Sequence, residues 1–409
     1  MALSRRGVLG ATLAMGVPWP IARAGSLDDR VRFLFIHASG GWDPTRVFTV
    51  PESDSIDIES GVELVSQGDI SWGSHARRPS VDRYFSAFGD RTAILNGLVV
   101  RSISHEICRM VLLTGGSNAE APDWPVLLAS EGASGLALPH LVLSGPSFAG
   151  DHGVLTARDG RNQQLNSLIG DDVRFLDQEE RATKLPTTEA QALVDAWVQE
   201  RSLARELATT DPRRIERFQQ LRGAQERAML LKQLSGEMSF DTDGDLLAQG
   251  EVALDCLARG VSRCVTTMHP PTSGGFSWDS HSDNDDEQSE HFEDLFDTLH
   301  LLVDRMDGMT TDNGTPLSEV TVIAVLSEMG RSPRLNGSQG KDHWPYTSAM
   351  LIGAGVKSGV VGSFDDELVS EEVDGRLIGP EELGATFFAL AGEDHTPYID
   401  ADPVDDLMA

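Results

Sequence analysis

Short hydrophobic runs punctuate the chain at residues 32–37, 92–98, 139–143, 260–268, 320–326 and 349–353. Each has the length of a strand, and most are apolar with few polar interruptions, which is the pattern of strands covered on both faces. Between them, residues 79–88, 105–113, 124–130, 243–259, 289–306 and 380–390 space their apolar positions at helical intervals. Alternating buried strands and amphipathic helices predict an α/β fold with a mostly parallel sheet and helices on both faces.

One stretch breaks the alternation. Residues 187–207 and 212–234 are polar and charge-laced, the second opening with Asp211 as a cap and Pro212 in its first turn. They predict a helical hairpin inserted at about 180–236. Such a hairpin can serve as a lid, a partner surface or a peripheral support; solvated charged helices favour the last reading. No repeat or linker divides residues 25–409, which are expected to form one domain.

Ser4-Arg5-Arg6-Gly7 precedes a weakly hydrophobic stretch and Ala22-Arg23-Ala24, the layout of a twin-arginine export signal over residues 1–24. No later segment approaches the length of a membrane-spanning helix. A soluble periplasmic or extracellular protein is expected. With 33 basic against 64 acidic residues the formal charge is −31. Loss of residues 1–24 removes three arginines and no acid, giving −34. So acidic a chain argues against nucleic acid and anionic membranes as principal ligands. Cys108, Cys256 and Cys264 are too few for a disulfide framework. A Cys256–Cys264 bridge is conceivable, while buried free thiols are the default expectation.

Candidate chemistry gathers where strands are expected to end, the ligand-binding edge of open α/β sheets. Gly40-Gly41-Trp42-Asp43 offers a carboxylate, either a metal ligand or a turn cap. Ser102 and Ser104, with His105, begin a helix; each serine is a cap candidate. Ser104 is equally a nucleophile candidate, because backbone N–H groups at a helix start stabilise negative charge. Gly274-Gly275-Phe276-Ser277-Trp278-Asp279-Ser280-His281 places a carboxylate and an imidazole within reach of one cation. Ser327-Glu328-Met329-Gly330-Arg331, then Lys341-Asp342-His343, adds Glu328, His343, a secondary candidate in Asp342, and in Arg331 a bidentate clamp for an oxyanion. The acids of Asp241 to Asp245 lack the Glu that a calcium loop requires and read as an N-cap.

Taken together, Gly274 to His281, Ser327 to His343 and Leu351 to Gly362 resemble the bacterial family known as domain of unknown function 1501. That family is similar to the alkaline phosphatase and sulfatase superfamily. The resemblance extends from Phe33 to the C-terminus. It implies an alkaline phosphatase-like fold, an exported hydrolase of phosphate or sulfate esters, and one or two divalent cations, zinc, manganese or calcium. By position, Asp43, Asp279, His281, Glu328 and His343 look like metal ligands and Ser104 like the nucleophile, with His105 and Arg331 beside it. A small-molecule or glycan ester is the implied substrate. Glu328 stands where the superfamily has an adjacent Asp-His pair, and the missing imidazole motivates the alternative: a non-catalytic cell-envelope binding or assembly protein that keeps the fold.

Overall fold

The computed structural model describes residues 27, 30–118, 120–133, 135–159, 164–169, 187–234, 237–240, 244–271 and 276–409. The export signal over 1–24, Gly274 and Gly275, Asp241 to Asp243, and both ends of the expected insertion lie outside the described residues.

The elements in order are β1 (Arg32–Ala38), β2 (Glu63–Gln67), β3 (Ile70–Ser74), α1 (Pro79–Phe88), β4 (Thr92–Val99), α2 (His105–Thr114), α3 (Trp124–Ser130), β5 (His140–Val142) and β6 (Thr156–Arg158). There follow α4 (Gln164–Ile169), α5 (Thr188–Leu207), α6 (Pro212–Gln233), α7 (Leu246–Ala258), β7 (Cys264–His269) and α8 (Asn284–Asp307). The chain continues through β8 (Thr321–Leu326), β9 (Gly330–Leu335), β10 (Lys341–Trp344), β11 (Tyr346–Gly353), β12 (Gly359–Val361) and α9 (Pro380–Leu390).

Eight strands form one sheet in the order β12-β4-β11-β8-β1-β7-β5-β6. Only β11 runs against its neighbours β4 and β8; the other pairings are parallel. The fold is therefore α/β with a mostly parallel sheet, as the alternation of elements predicts. Side chains along the central strands alternate between two cores. Leu34, Ile36, Ile323 and Val325 pack beneath α1, α7 and α8, while Phe33, Phe35, Val322 and Ala324 pack beneath α3 and α9. With both faces covered, β1 and β8 are buried throughout, which is why they appear in sequence as mostly apolar runs.

The stretch after Glu328 folds as the antiparallel β9–β10 hairpin. Cys108, Cys256 and Cys264 are buried free thiols, so no Cys256–Cys264 bridge forms. Among the described residues, no helix is long and apolar enough to cross a membrane.

Candidate metal centre

Four strand ends and one hairpin converge. β1 ends in Ser39-Gly40-Gly41, β4 leads to α2 and His105, β7 leads to Asp279, β8 ends in Ser327-Glu328, and β10 carries His343. Gly40 adopts φ +127°, and a Cβ there would lie 2.6 Å from the Asp279 nitrogen and 2.7 Å from that of Trp278. A side chain is excluded at this crossing, so the first loop can press against the loop that carries Asp279. Trp278 N–H donates to the Ser39 carbonyl at 3.0 Å and fixes the contact.

Asp279 is the centre of the cluster. Its Oδ1 lies 3.0 Å from His343 Nε2 and 3.2 Å from His281 Nε2, and its Oδ2 lies 3.4 Å from His105 Nε2. Every one of these imidazoles has its other nitrogen engaged by an oxygen. His105 Nδ1 meets Glu328 Oε1 at 3.0 Å, His281 Nδ1 meets Asp342 Oδ1 at 3.2 Å, and His343 Nδ1 meets the Ile103 carbonyl at 2.7 Å. A carbonyl only accepts, so His343 carries its proton on Nδ1 and neutral His343 turns a lone pair toward Asp279. His281 Nε2 is 3.0 Å from His343 Nε2. Lone pairs this close to one another and to a carboxylate repel unless a cation lies among them, either a proton or a metal ion. Tetrahedral coordination at about 2.0–2.1 Å would set neighbouring donors about 3.3 Å apart, close to the spacings seen. His105, Asp279 and His343 present ligand atoms all within 4.8 Å of one another. His105 Nε2 is moreover buried, and its contact to Asp279 Oδ2 is long at 3.4 Å.

The electrostatics agree with a site that favours positive charge. Burial works against charging His105, but hydrogen bonds and charge from Asp279 and Glu328 outweigh it and lift the imidazole to about 9. Burial likewise opposes ionisation of Asp279, yet His105 and Arg331 hold its carboxyl well below the usual carboxylate range.

Arg331 does not face solvent as an oxyanion clamp requires. It is fully buried; its Nε donates to the Gly41 carbonyl at 2.9 Å, its Nη1 to Lys341 O at 3.2 Å, and its Nη2 to Gly40 O, Trp278 O and Asp279 Oδ1. It ties the three loops together and holds Asp279 in place. Glu328 is also fully buried: its Oε1 accepts from Gly40 N at 2.8 Å and engages His105, so it lies behind an imidazole rather than beside Asp279.

Asp43 stands apart from the cluster. Its Oδ1 accepts from Thr45 N at 3.1 Å and Thr45 Oγ1 at 2.7 Å. Its Oδ2 meets Lys341 Nζ at 2.9 Å, Asn284 Nδ2 at 2.9 Å and Arg46 Nε at 3.2 Å. Five donors occupy a carboxylate with about four lone-pair positions, which leaves none for a metal. Asp43 caps the short turn Pro44–Arg46, the second of its two sequence readings. The charge-neutralising partners Lys341 and Arg46 were not singled out from sequence.

Ser104 occupies the cap position of α2, next to His105, but makes no capping bond; its exposed hydroxyl lies 3.2 Å from Glu106 Oε2. Ser102 Oγ accepts from Ser104 N at 3.2 Å. Arg109 and Phe276 complete the surroundings. The Arg109 guanidinium lies 3.9 Å from the centre of the Phe276 ring, and His105 stacks on the same ring with centroids 4.1 Å apart. Arg109 follows His105 by one helical turn, the sequence signal that places both on one face of α2.

A family model described as "Protein of unknown function (DUF1501)" matches residues 76–402, and the chain belongs to that family. No curated protein matches its sequence. Among solved structures, the chain is similar to the C-terminal periplasmic domain of EcEptC from Escherichia coli in complex with Zn, at 9% identity and TM-score 0.39 over 90% of this chain and 84% of that one. It is also similar to a protein in the alkaline phosphatase superfamily from Vibrio parahaemolyticus (6% identity, TM-score 0.36, 89% and 67% covered). A third similar structure is the lipoteichoic acid synthase LtaP from Listeria monocytogenes (8%, TM-score 0.38, 91% and 76% covered).

Proposed function

We propose that this member of the family is an exported hydrolase of phosphate or sulfate esters that works with one divalent cation. The observation that carries the reading is the arrangement around Asp279: three imidazoles with Nδ1 engaged by an oxygen and Nε2 turned to the same carboxylate. Oxygen acceptors behind ligand histidines are the arrangement by which proteins orient imidazoles toward a metal. Asp279, His281, His343 and His105 would hold the ion. Three nitrogens and one carboxylate suit zinc or manganese better than calcium, which takes oxygen ligands.

The bound ion would supply Lewis acidity, polarising the ester and lowering the pKa of a nearby hydroxyl. Ser104 would attack the phosphorus or sulfur atom with its proton passing toward Glu106 Oε2, and with the N-terminal end of the α2 dipole beside the developing charge. The bond to the ester oxygen would break and release the alcohol, protonated from water, and a second water would hydrolyse the seryl ester to free Ser104 and inorganic phosphate or sulfate. Arg109, partly exposed beside Phe276, takes over the contact to a non-bridging oxygen for which Arg331 is too buried. Export by the twin-arginine route follows from residues 1–24 and is tested by Arg5→Lys with Arg6→Lys, which should leave precursor in the cytoplasm.

A second reading, a non-catalytic cell-envelope binding or assembly protein, draws on one specific contact. Arg331 Nη2 already donates to Asp279 Oδ1 at 2.7 Å, so a guanidinium neutralises the carboxylate that a metal would use. Metal analysis of the protein exported from its native host, joined to an ester panel, separates the two. Hydrolysis with stoichiometric metal, lost in Ser104→Ala with metal retained and lost together with metal in His343→Ala, supports the enzyme. Folded, metal-free protein inert across phosphate and sulfate esters, including after added zinc or manganese, overturns it and favours the second reading.

A further inference from the structure

The α5–α6 hairpin is amphipathic in the inverted sense. α6 is the inner helix: Leu231 lies in the main core, and Arg227 donates to the Val154 carbonyl at 2.7 Å. The α5 face turned to α6 is polar. Glu206 accepts from Gln219 Nε2 at 3.0 Å and pairs with Arg222, and Ser202 is only 4% exposed. The outer face of α5 is apolar. Leu193 is 73% exposed, Trp197 60%, Leu203 46% and Leu207 79%, with exposed Ala196 and Ala204 among them. Spacings of three and four residues put these side chains on one stripe along the helix. A helix that turns its polar side inward and its apolar side to water has its natural partner elsewhere.

The stripe is nearly symmetric about Glu200. Leu193 and Leu207 are equidistant from it, as are Ala196 and Ala204, and Trp197 and Leu203. We infer that α5 is the two-fold interface of a homodimer, its occupant being α5 of a second copy lying antiparallel with Glu200 at the axis. Leu193 then meets the second copy's Leu207, Trp197 meets its Leu203, and the alanines let the backbones approach. An isologous contact needs just such self-complementarity. The axis brings the two Glu200 carboxylates face to face, and the exposed Arg201 of each copy, one residue from the axis, is the cation at hand to offset them. Trp197, already beneath its own Arg201, supplies the aromatic anchor. The exposed side chains offer on the order of 500 Å² per copy and about 1,000 Å² in the pair, the lower bound for a specific interface.

Sedimentation of the full exported protein across a concentration series tests this, with two kinds of variant. The expected result is a reversible dimer, made monomeric at tenfold higher concentration or more by Trp197→Glu with Leu207→Glu. Glu200→Cys, on the axis, should form an inter-chain disulfide under mild oxidation, whereas Glu63→Cys on β2 should not. A protein that is monomeric throughout, a dimer that survives the double substitution without cross-linking at position 200, or a monomer that instead binds lipid vesicles through the stripe overturns the proposal. Should the double variant fail to fold, the position-200 cross-link decides.

Discussion

Removing the ammonium of Lys341 is the sharpest test of the division between structural and ligand carboxylates. Lys341 and Asp43 are both fully buried and 2.9 Å apart. Breaking a buried pair from one side typically costs 3–5 kcal/mol, because the remaining charge loses its partner without regaining water. In Lys341→Met, Asp43 retains Arg46 Nε at 3.2 Å and Asn284 Nδ2 at 2.9 Å, so the expected loss lies at the lower end, about 3 kcal/mol. Asp43→Asn in the same protein removes the charge that Lys341 strands, and the double variant should recover at least about 1 kcal/mol relative to additivity. Urea unfolding at neutral pH measures both, with bound metal followed in parallel and expected to be unchanged in Asp43→Asn. Burial opposes ionisation of Asp43, but Lys341 and Arg46 hold its carboxyl far below its ordinary value. Its folded value is depressed, so its contribution is present above the unfolded value near 4 and fades as pH falls below it. Asp43→Asn that loses the metal while costing under about 1 kcal/mol would refute the assignment and return Asp43 to the ligand set.

Gly340 backs directly onto the main chain of His281 and Ser282, so the Cβ of Gly340→Ala would enter the van der Waals space of backbone atoms that cannot rotate away. The hairpin tip must then lift, separating His281 from His343; cation affinity should fall at least tenfold while the parallel sheet keeps its far-ultraviolet signature. Without metal, His105 is held at about 9 against an ordinary 6.5, so its share of stability is full below about 6.5 and is lost as pH rises through 9. Metal must displace that proton, so apparent affinity should climb by up to about tenfold per pH unit toward 9, and a flat profile in titration calorimetry would contradict the ligand role of His105. Burial raises the thiols of Cys108 to about 11 and of Cys264 to about 12 and pushes Cys256 up further still. An aromatic disulfide reagent should therefore label none of the three until denaturant unfolds the chain, and rapid labelling of native protein would show the packing to be wrong.

The parts of the fold legible in sequence are those whose burial is uniform. β1 and β8 pass through the middle of a sheet covered on both sides, and α1, α3 and α9 each open with proline in the first turn, so pattern and punctuation coincide. β9 and β10 were not legible. Arg331-Ser332-Pro333-Arg334 and Lys341-Asp342-His343 are polar, half-exposed segments with no apolar alternation, and they pair because Arg331 and Lys341 are drawn into the interior by partners far away in the chain. The reversed direction of β11 was equally hidden, since an apolar run has the same appearance whichever way it points.

At the site, residue types were legible and their assignment to partners was not. Asp43 and Asp279 each follow a strand and lie near glycine, and each touches a buried arginine. What separates them is the β9–β10 hairpin. Its register slips between Lys341 and His343. Lys341 reaches Asp43, and His343, two residues on, reaches Asp279. One carboxylate thereby receives an ammonium and becomes part of the framework; the other, besides its arginine, faces imidazole nitrogens. A similar relation explains Glu328, whose place at the end of β8 matched a ligand but whose Oε1 meets Nδ1 of His105, so that it acts through that histidine. If the proposed ligands His105, Asp279, His281 and His343 hold the metal, Glu328→Gln should keep it while weakening affinity by about 10–100-fold through the loosened imidazole. Complete loss of metal in that variant would make Glu328 a ligand after all.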